Sequence, residues 1–136
     1  MDSGFLKGEK ILIVEDNFLN YQVLKILLDK LEAIIMWAKN GQEAINLYTQ
    51  HKDITLILMD INMPVMDGIT ATREIRKLDK TIPIIFQTAY ATDENEKECL
   101  AAGGNDFLTK PIKNKLLIAT LKIYVSKSQK ASNNPS

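Results

Sequence analysis

Three acidic side chains stand at the ends of two apolar runs. Glu15 and Asp16 follow the run Ile11–Val14, and Asp60 ends a run that begins at Leu56. If both runs are parallel strands of one sheet, their carboxyl ends meet at the same edge, and the three carboxylates lie close together. Carboxylates in such a cluster repel each other unless a cation lies among them. The pattern therefore predicts a cation site.

Oxygen ligands of this kind suit Mg²⁺, which takes about six oxygens at roughly 2.0–2.1 Å and keeps several waters. We expect Asp16 and one oxygen of Asp60 to be direct ligands. A loop carbonyl, of which that of Asn62 is nearest, would be the third ligand, and Glu15 would hold a water. The other oxygen of Asp60 is then a candidate nucleophile toward a phosphoryl group.

Two further side chains, Thr88 and Lys110, end later strands in the predicted order. The Lys110 ammonium would neutralise phosphoryl charge, and the Thr88 hydroxyl would donate a hydrogen bond to a phosphoryl oxygen. Each residue alone has an ordinary explanation: Asp16 as a helix cap, Asp60 as a turn residue, Thr88 as a strand residue and Lys110 as a solvated charge. The joint placement of all five side chains at strand ends favours a reactive site.

The elements that must position these side chains alternate regularly along the chain. The apolar patterns predict five strands, at Ile11–Val14, Ile34–Ala38, Leu56–Asp60, Pro83–Thr88 and Asp106–Thr109. Helical periodicity predicts helices from Asn17 to Glu32, after a cap at Asn40, from Gly68 to Leu78, from Thr92 to Ala102 and from Ile112 to about Val125. Short connections between alternating strands and helices predict an α/β fold, with a parallel sheet covered by helices on both faces.

Length and composition bound the class of protein. A chain of 136 residues is long enough for one domain, predicted at residues 9–126, with flexible tails at 1–8 and 127–136. Its 17 basic and 17 acidic side chains cancel, which argues against nucleic acid or a membrane surface as a partner. The single cysteine, Cys99, excludes an internal disulfide. Without a membrane-spanning run or a signal peptide, we expect a cytoplasmic protein.

Several motifs occur in a fixed order from about Lys10 to Val125. They are Ile-Leu-Ile-Val-Glu15-Asp16-Asn17, Ala38-Lys-Asn-Gly-Gln-Glu-Ala44, Leu58-Met-Asp60-Ile-Asn-Met-Pro-Val-Met-Asp-Gly68, Thr88-Ala89 and Ala102-Gly-Gly-Asn-Asp-Phe-Leu-Thr-Lys110-Pro111. In these motifs the chain resembles the receiver domain of bacterial two-component response regulators, which include the chemotaxis response regulator. Asn20 and the loop after Asp60 make it most similar to the receivers of hybrid histidine kinases.

The resemblance implies a flavodoxin-like (βα)5 three-layer sandwich with strand order 2-1-3-4-5. It implies that Asp60 accepts a phosphoryl group from a histidine kinase or a histidine phosphotransfer protein. Glu15 and Asp16 would bind Mg²⁺, or Mn²⁺ in its place, together with Asp60 and the backbone carbonyl of Asn62. Lys110 would pair with the phosphate, and its bond to the following proline would be cis.

The resemblance also implies a switch that involves Thr88 and Phe107. The hydroxyl would move toward the phosphoryl group, and the aromatic ring would turn inward, which changes the surface of the fourth helix, fifth strand and fifth helix. Such a domain is an autocatalytic phosphoacceptor and not an enzyme with a released product. Phosphorylation could also produce a homodimer. The chain is either a stand-alone regulator or part of a hybrid kinase, and we favour the second.

Two other functions fit parts of the pattern. A phosphatase of the haloacid dehalogenase type also uses an aspartate at a strand end, but it needs a second aspartate where this chain has Asn62. An unphosphorylated interaction module, or a flavin-binding protein on the same fold, would not need the five strand-end side chains. Phosphorylation by a small donor distinguishes the receiver from these alternatives.

Overall fold

The computed structural model describes residues 4–132, and the side chains up to residue 126. Strands and helices alternate without exception in this part of the chain. The strands are β1 (Lys10–Val14), β2 (Ile34–Ala38), β3 (Leu56–Asp60), β4 (Ile84–Thr88) and β5 (Asp106–Thr109). The helices are α1 (Phe18–Lys30), α2 (Gly41–Gln50), α3 (Gly68–Leu78), α4 (Asp93–Ala102) and α5 (Asn114–Ser132). The predicted order of elements is confirmed.

The five strands form one parallel sheet in the order β2-β1-β3-β4-β5. The α/β class and the flavodoxin-like order are therefore confirmed. Strand register brings the carboxyl ends together, since Val14 pairs with Met59, Asp60 with Gln87 and Thr88 with Thr109. The ends of β1, β3, β4 and β5, which carry the predicted site residues, thus lie at one edge of the sheet.

Two apolar clusters cover the two faces of the sheet, because successive strand side chains point to opposite faces. Leu12 and other residues of its face pack with α2, α3 and α4. Ile13 and its face pack with α1 and α5, where Leu24 and Leu121 are buried. The central strands are buried on both faces, which explains why their sequences are continuous apolar runs.

Short polar residues begin the helices next to the site. Asn17 caps α1 and Asp67 caps α3, and each side chain accepts a hydrogen bond from the backbone N–H three residues later. Helix α3 starts directly behind Asp60, and a Cβ atom at Gly68 would overlap the carbonyl oxygen of Asp60. Only glycine therefore allows α3 to begin this close to the end of β3.

At both ends of the described residues, secondary structure extends beyond the predicted domain bounds of 9–126. Residues 4–8 form turns, and the side chain of Leu6 is fully buried against the cluster that α1 and α5 cover. Helix α5 begins at Asn114 and continues to Ser132, because no helix breaker interrupts the polar sequence after Val125. The rest of the predicted tails, 1–3 and 133–136, lies outside the described residues. No helix in 4–132 combines the length and apolarity that a membrane crossing requires.

Candidate functional site

The carboxylates of Glu15, Asp16 and Asp60 meet at the carboxyl edge of the sheet. Each offers an oxygen that lies within 4.8 Å of the other two. Glu15 and Asp60 are 1% and 4% exposed, whereas Asp16 is exposed at the mouth of the site. The structure thus brings together the three acids that the strand-end argument singled out.

Lys110 supplies the positive charge of the site. Its Nζ lies 2.9 Å from Oε1 of Glu15 and 3.3 Å from Oδ2 of Asp60. Burial opposes the charge on this ammonium, but the bond to Glu15 and the charge of Asp60 outweigh that effect and raise the pKa of Lys110. The lysine is therefore fully protonated at neutral pH and pairs with two buried carboxylates.

Glu15 lies in the opposite electrostatic situation. Its burial raises the pKa of the carboxyl, the hydrogen bond from Lys110 lowers it, and the nearby charge of Asp60 raises it again, with a net upward shift. Oε2 of Glu15 also accepts a hydrogen bond from the backbone N–H of Asn17 at 3.2 Å. Glu15 and Asp60 share the single positive charge of Lys110, so their combined charge is still negative. A second cation bound at this site would therefore be stabilised.

Thr88 is fully buried at the end of β4 and is tied to its neighbours through the backbone. Its hydroxyl oxygen accepts a hydrogen bond from the N–H of Tyr90 at 3.1 Å, and its carbonyl accepts one from the N–H of Lys110 at 2.7 Å. Phe107 is half-buried on β5, opposite Phe86. The structure therefore places Thr88 next to Lys110, and Phe107 on the strand that leads to it.

Asn62 begins the loop between β3 and α3, and its side chain is exposed. A hydrogen bond of 2.9 Å from the N–H of Gly68 to the carbonyl of Ile61 closes this loop. The Lys110–Pro111 peptide bond, on the other side of the site, is cis. The loop after β3 is thus closed by a backbone hydrogen bond beside the acids.

Two side chains at this edge were not predicted from the sequence. The indole nitrogen Nε1 of Trp37 donates a hydrogen bond of 2.8 Å to the carbonyl of Glu15. Gln87 lies beside Asp60 in the sheet and is 2% exposed, and its Nε2 has no hydrogen-bond partner among the residues that the structure describes. Sequence spacing gives no signal for either residue, since both occupy ordinary strand positions.

Comparison with known protein families identifies the family to which this chain belongs. The family model described as the response regulator receiver domain matches residues 11–122, which is most of the chain. The chain belongs to the response regulator receiver domain family. Its resemblance to receivers of two-component signalling is confirmed, and so is the likeness to hybrid kinases.

This receiver domain is similar to segments of much longer proteins. It is 43% identical over 132 residues to the osmosensing histidine protein kinase SLN1 of Saccharomyces cerevisiae, with 92% of this chain and 11% of that protein covered. It is 45% identical over 121 residues to hybrid signal transduction histidine kinase M of Dictyostelium discoideum, with 85% of this chain and 5% of that protein covered. The chain thus spans about a tenth or less of these two relatives.

Solved receivers share the fold of this receiver domain. The receiver domain of a sensor histidine kinase from Pseudomonas aeruginosa, with a magnesium ion coordinated in its active site cleft, is 37% identical with a TM-score of 0.82, and the match covers 88% of this chain and 98% of that one. The receiver domain of Ssk1 from Saccharomyces cerevisiae, in complex with the histidine phosphotransfer protein Ypd1, is 32% identical with a TM-score of 0.83, covering 89% and 91%.

Proposed function

We propose that Asp60 of this receiver domain accepts a phosphoryl group from a phosphohistidine of a partner protein in a Mg²⁺-dependent reaction. One observation carries the proposal. The nearly buried carboxylate of Asp60 lies 3.3 Å from a lysine ammonium and shares a cluster with two further carboxylates. A candidate nucleophile, an acid pair of the kind that binds cations and a positive charge lie close together, which supports the proposal.

The acid cluster fits Mg²⁺ in donor chemistry and in size. Adjacent and opposite ligands of an octahedral Mg²⁺ lie about 3.0 and 4.2 Å apart, given bond lengths of about 2.1 Å. Carboxylate oxygens that lie within 4.8 Å of one another need only a small adjustment, or one intervening water, to reach that geometry. Asp16, Asp60 and the Asn62 carbonyl would bind the ion directly, and Glu15 through a water. The bound ion would neutralise charge on the phosphoryl oxygens.

The residues of the chain do the remaining chemistry. A carboxylate oxygen of Asp60 attacks the phosphorus, an acyl phosphate P–O bond forms, and the P–N bond to the donor imidazole breaks. The imidazole leaves with its electron pair and retains the proton on its other nitrogen. Lys110 already lies at hydrogen-bonding distance from Asp60. After the transfer, its ammonium would form an ion pair with the phosphoryl oxygens.

The path of the signal out of the site would begin at Thr88. Among the described residues, the hydroxyl of Thr88 accepts a bond from Tyr90 and donates none, so its own hydrogen is available to a phosphoryl oxygen. A move of this hydroxyl would free space near Phe107, whose ring is only half-buried. We propose that Thr88 and Phe107 form the switch and that it changes the surface of α4, β5 and α5.

The face beside the site suits a protein phosphodonor. Four large apolar side chains of α1 are exposed, Phe18 by 52%, Leu19 by 71%, Val23 by 64% and Ile26 by 56%. A cavity of about 410 Å³ lies between α1 and the start of α5, next to Lys110. Several exposed apolar side chains on one helix are typical of protein interfaces. We propose that a histidine phosphotransfer protein or a kinase domain binds here.

Several further properties belong to the same proposal. The domain would act as an autocatalytic phosphoacceptor in the cytoplasm, without nucleic acid or membrane contacts of its own, and phosphorylation could produce a homodimer. Since its relatives are hybrid kinases, the parent chain would be one as well. Mn²⁺ would substitute for Mg²⁺. No observation favours the phosphatase alternative, because Asn62 stands where that chemistry needs an acid.

The proposal is tested with a small phosphodonor. Intact mass spectrometry after incubation with acetyl phosphate and Mg²⁺ should find one added phosphoryl group. The modification should disappear when EDTA replaces Mg²⁺, and in the variant Asp60→Asn. The variant Asp67→Asn changes an exposed acid at the end of the same loop and should react like the wild type. Unmodified wild-type protein would contradict the proposal.

A further inference from the structure

The peptide unit between Glu15 and Asp16 lies just beyond the last residue of β1. The N–H of Glu15 still donates to the carbonyl of Ala38 at 2.9 Å, as in the parallel ladder. The carbonyl of Glu15 instead accepts the hydrogen bond of 2.8 Å from the indole N–H of Trp37. A side chain therefore takes the place of the next ladder donor and fixes this peptide unit.

The indole of Trp37 is itself held in place by an aromatic cluster. It stacks on Tyr21, with ring centroids 4.0 Å apart and an interplanar angle of 7°, and contacts Phe18 at 5.8 Å. The ammonium of Lys39 lies 5.1 Å from the indole centroid. Tyr21 is 9% exposed, so the surface on which Trp37 stacks belongs to the core. The indole N–H is thus a preorganised donor.

Asp16 depends on this peptide unit more than the other acids do. Glu15 and Asp60 are both held by Lys110. Asp16 is exposed, and its side chain makes no hydrogen bond or ion pair with the residues that the structure describes. The direction of the Asp16 carboxylate is therefore set by the backbone of Asp16. The peptide unit that precedes this residue contains the Glu15 carbonyl, to which Trp37 donates its hydrogen bond.

We propose that Trp37 is a positioning residue for the cation site, acting through its hydrogen bond to the Glu15 carbonyl. It fixes the peptide that joins Glu15 to Asp16, so that both carboxylates face Asp60 before an ion arrives. This inference rests on the proposed Mg²⁺ site and adds a residue to it that makes no contact with the ion. Such outer partners of metal ligands determine affinity by preorganising them.

The test compares two ring-preserving variants of the full chain. Trp37→Phe keeps an aromatic ring on Tyr21 but removes the N–H donor, whereas Tyr21→Phe removes a hydroxyl from the same cluster and leaves the donor intact. Mg²⁺ is titrated into each protein, and the dissociation constant is read from the backbone amide resonances of Glu15, Asp16 and Asp60. Trp37→Phe should bind Mg²⁺ about three- to tenfold more weakly, the effect of one hydrogen bond, and Tyr21→Phe should match the wild type.

A second measurement separates positioning from loss of structure. With acetyl phosphate as donor, Trp37→Phe should need a correspondingly higher Mg²⁺ concentration for half-maximal rate, while its rate at saturating Mg²⁺ stays at the wild-type level. A variant that merely unfolds would lose the saturating rate instead. In the wild type, the indole N–H resonance of Trp37 should move with Mg²⁺ at the same midpoint as the amide of Asp16, and this needs no variant.

Each alternative result has a distinct meaning. Four results would overturn the role of Trp37 and leave the proposed function intact. They are an unchanged Mg²⁺ affinity in Trp37→Phe, an equal loss of affinity in Tyr21→Phe, a reduced rate of Trp37→Phe at saturating Mg²⁺, and an indole resonance that does not move with Mg²⁺. A wild-type protein that does not bind Mg²⁺ at all would overturn both.

Discussion

The ammonium of Lys110 lies 3.3 Å from the carboxylate of Asp60, across the β4 strand that separates β5 from β3. The same ammonium also pairs with Glu15, which is 1% exposed. One lysine therefore compensates two carboxylates that are both almost removed from water. Since a buried charge without a partner is costly, this lysine contributes to stability as well as to the proposed chemistry.

Replacing Lys110 by methionine should destabilise the protein in the absence of Mg²⁺, by about 1–3 kcal/mol, because Glu15 and Asp60 lose their cation. Added Mg²⁺ should recover part of this loss, since it would supply the missing positive charge. Urea unfolding with and without Mg²⁺ measures both effects. The matched control is Lys115→Met, which removes an exposed lysine of α5 and should change neither quantity. A Lys110→Met protein as stable as the wild type in EDTA would contradict this account.

Asp79 should make stability depend on acidic pH. Burial alone would raise the pKa of this carboxyl, but hydrogen bonds from Tyr48, at 2.6 Å, and from Thr81 outweigh burial and lower it. A lowered pKa means that the unfolded chain binds the proton more tightly. The stability that ionised Asp79 contributes is therefore present above its ordinary value of 3.8 and is lost as pH falls through the folded-state pKa.

The variant Asp79→Asn isolates this contribution. The difference in unfolding free energy between wild type and Asp79→Asn should be constant above about pH 5, where the carboxyl is ionised in both states, and should shrink as pH falls below 3.8. Denaturant unfolding over a pH series gives the curve. A difference that grows toward low pH would contradict the assigned direction of the shift.

Sequence patterns predicted most of the fold because the strands are short apolar runs and polar caps mark the helix starts. The acid cluster could be predicted for a related reason, since parallel strands bring their carboxyl ends to one edge. Glu15, Asp16 and Asp60 needed only that topological rule. Their roles in phosphorylation stay predictions until the chemistry is measured.

Other features depend on contacts that no local pattern encodes. Trp37 reaches the carbonyl of Glu15 only because β2 pairs with β1. From its position in the strand sequence alone, the indole would be assigned only a packing role. Leu6 is buried because the turns before β1 fold it under α1 and α5, although the nearby Gly4, Lys7 and Gly8 are residues typical of an exposed loop. On α1, the apolar side chain of Val23 is 64% exposed, while Tyr21, which carries a hydroxyl, is buried. Tertiary packing decides such cases.

Thr72 should be a site where a small change stabilises the protein. Its hydroxyl is fully buried and has no hydrogen-bond partner among the described residues. Valine has the same shape without the polar atom, so Thr72→Val should raise the free energy of unfolding by about 1 kcal/mol. Thermal and urea unfolding measure the gain.

Thr120 is the matched control for this exchange. It is also buried, but its hydroxyl donates to the carbonyl of Leu116 at 2.9 Å, so Thr120→Val removes an existing bond and should bring no gain. Equal effects at the two positions would show that the unpaired hydroxyl of Thr72 carries no cost.

The central claim is that Asp60 itself carries the phosphoryl group. Borohydride reduces an acyl phosphate to the alcohol, so an aspartyl phosphate becomes homoserine at the modified position. After reaction with acetyl phosphate and Mg²⁺, followed by borohydride and peptide mass spectrometry, we expect homoserine at position 60 and unmodified aspartate at positions 16 and 67. Homoserine at another acid, or a phosphoryl group found on His51 with Asp60 unchanged, would contradict the account.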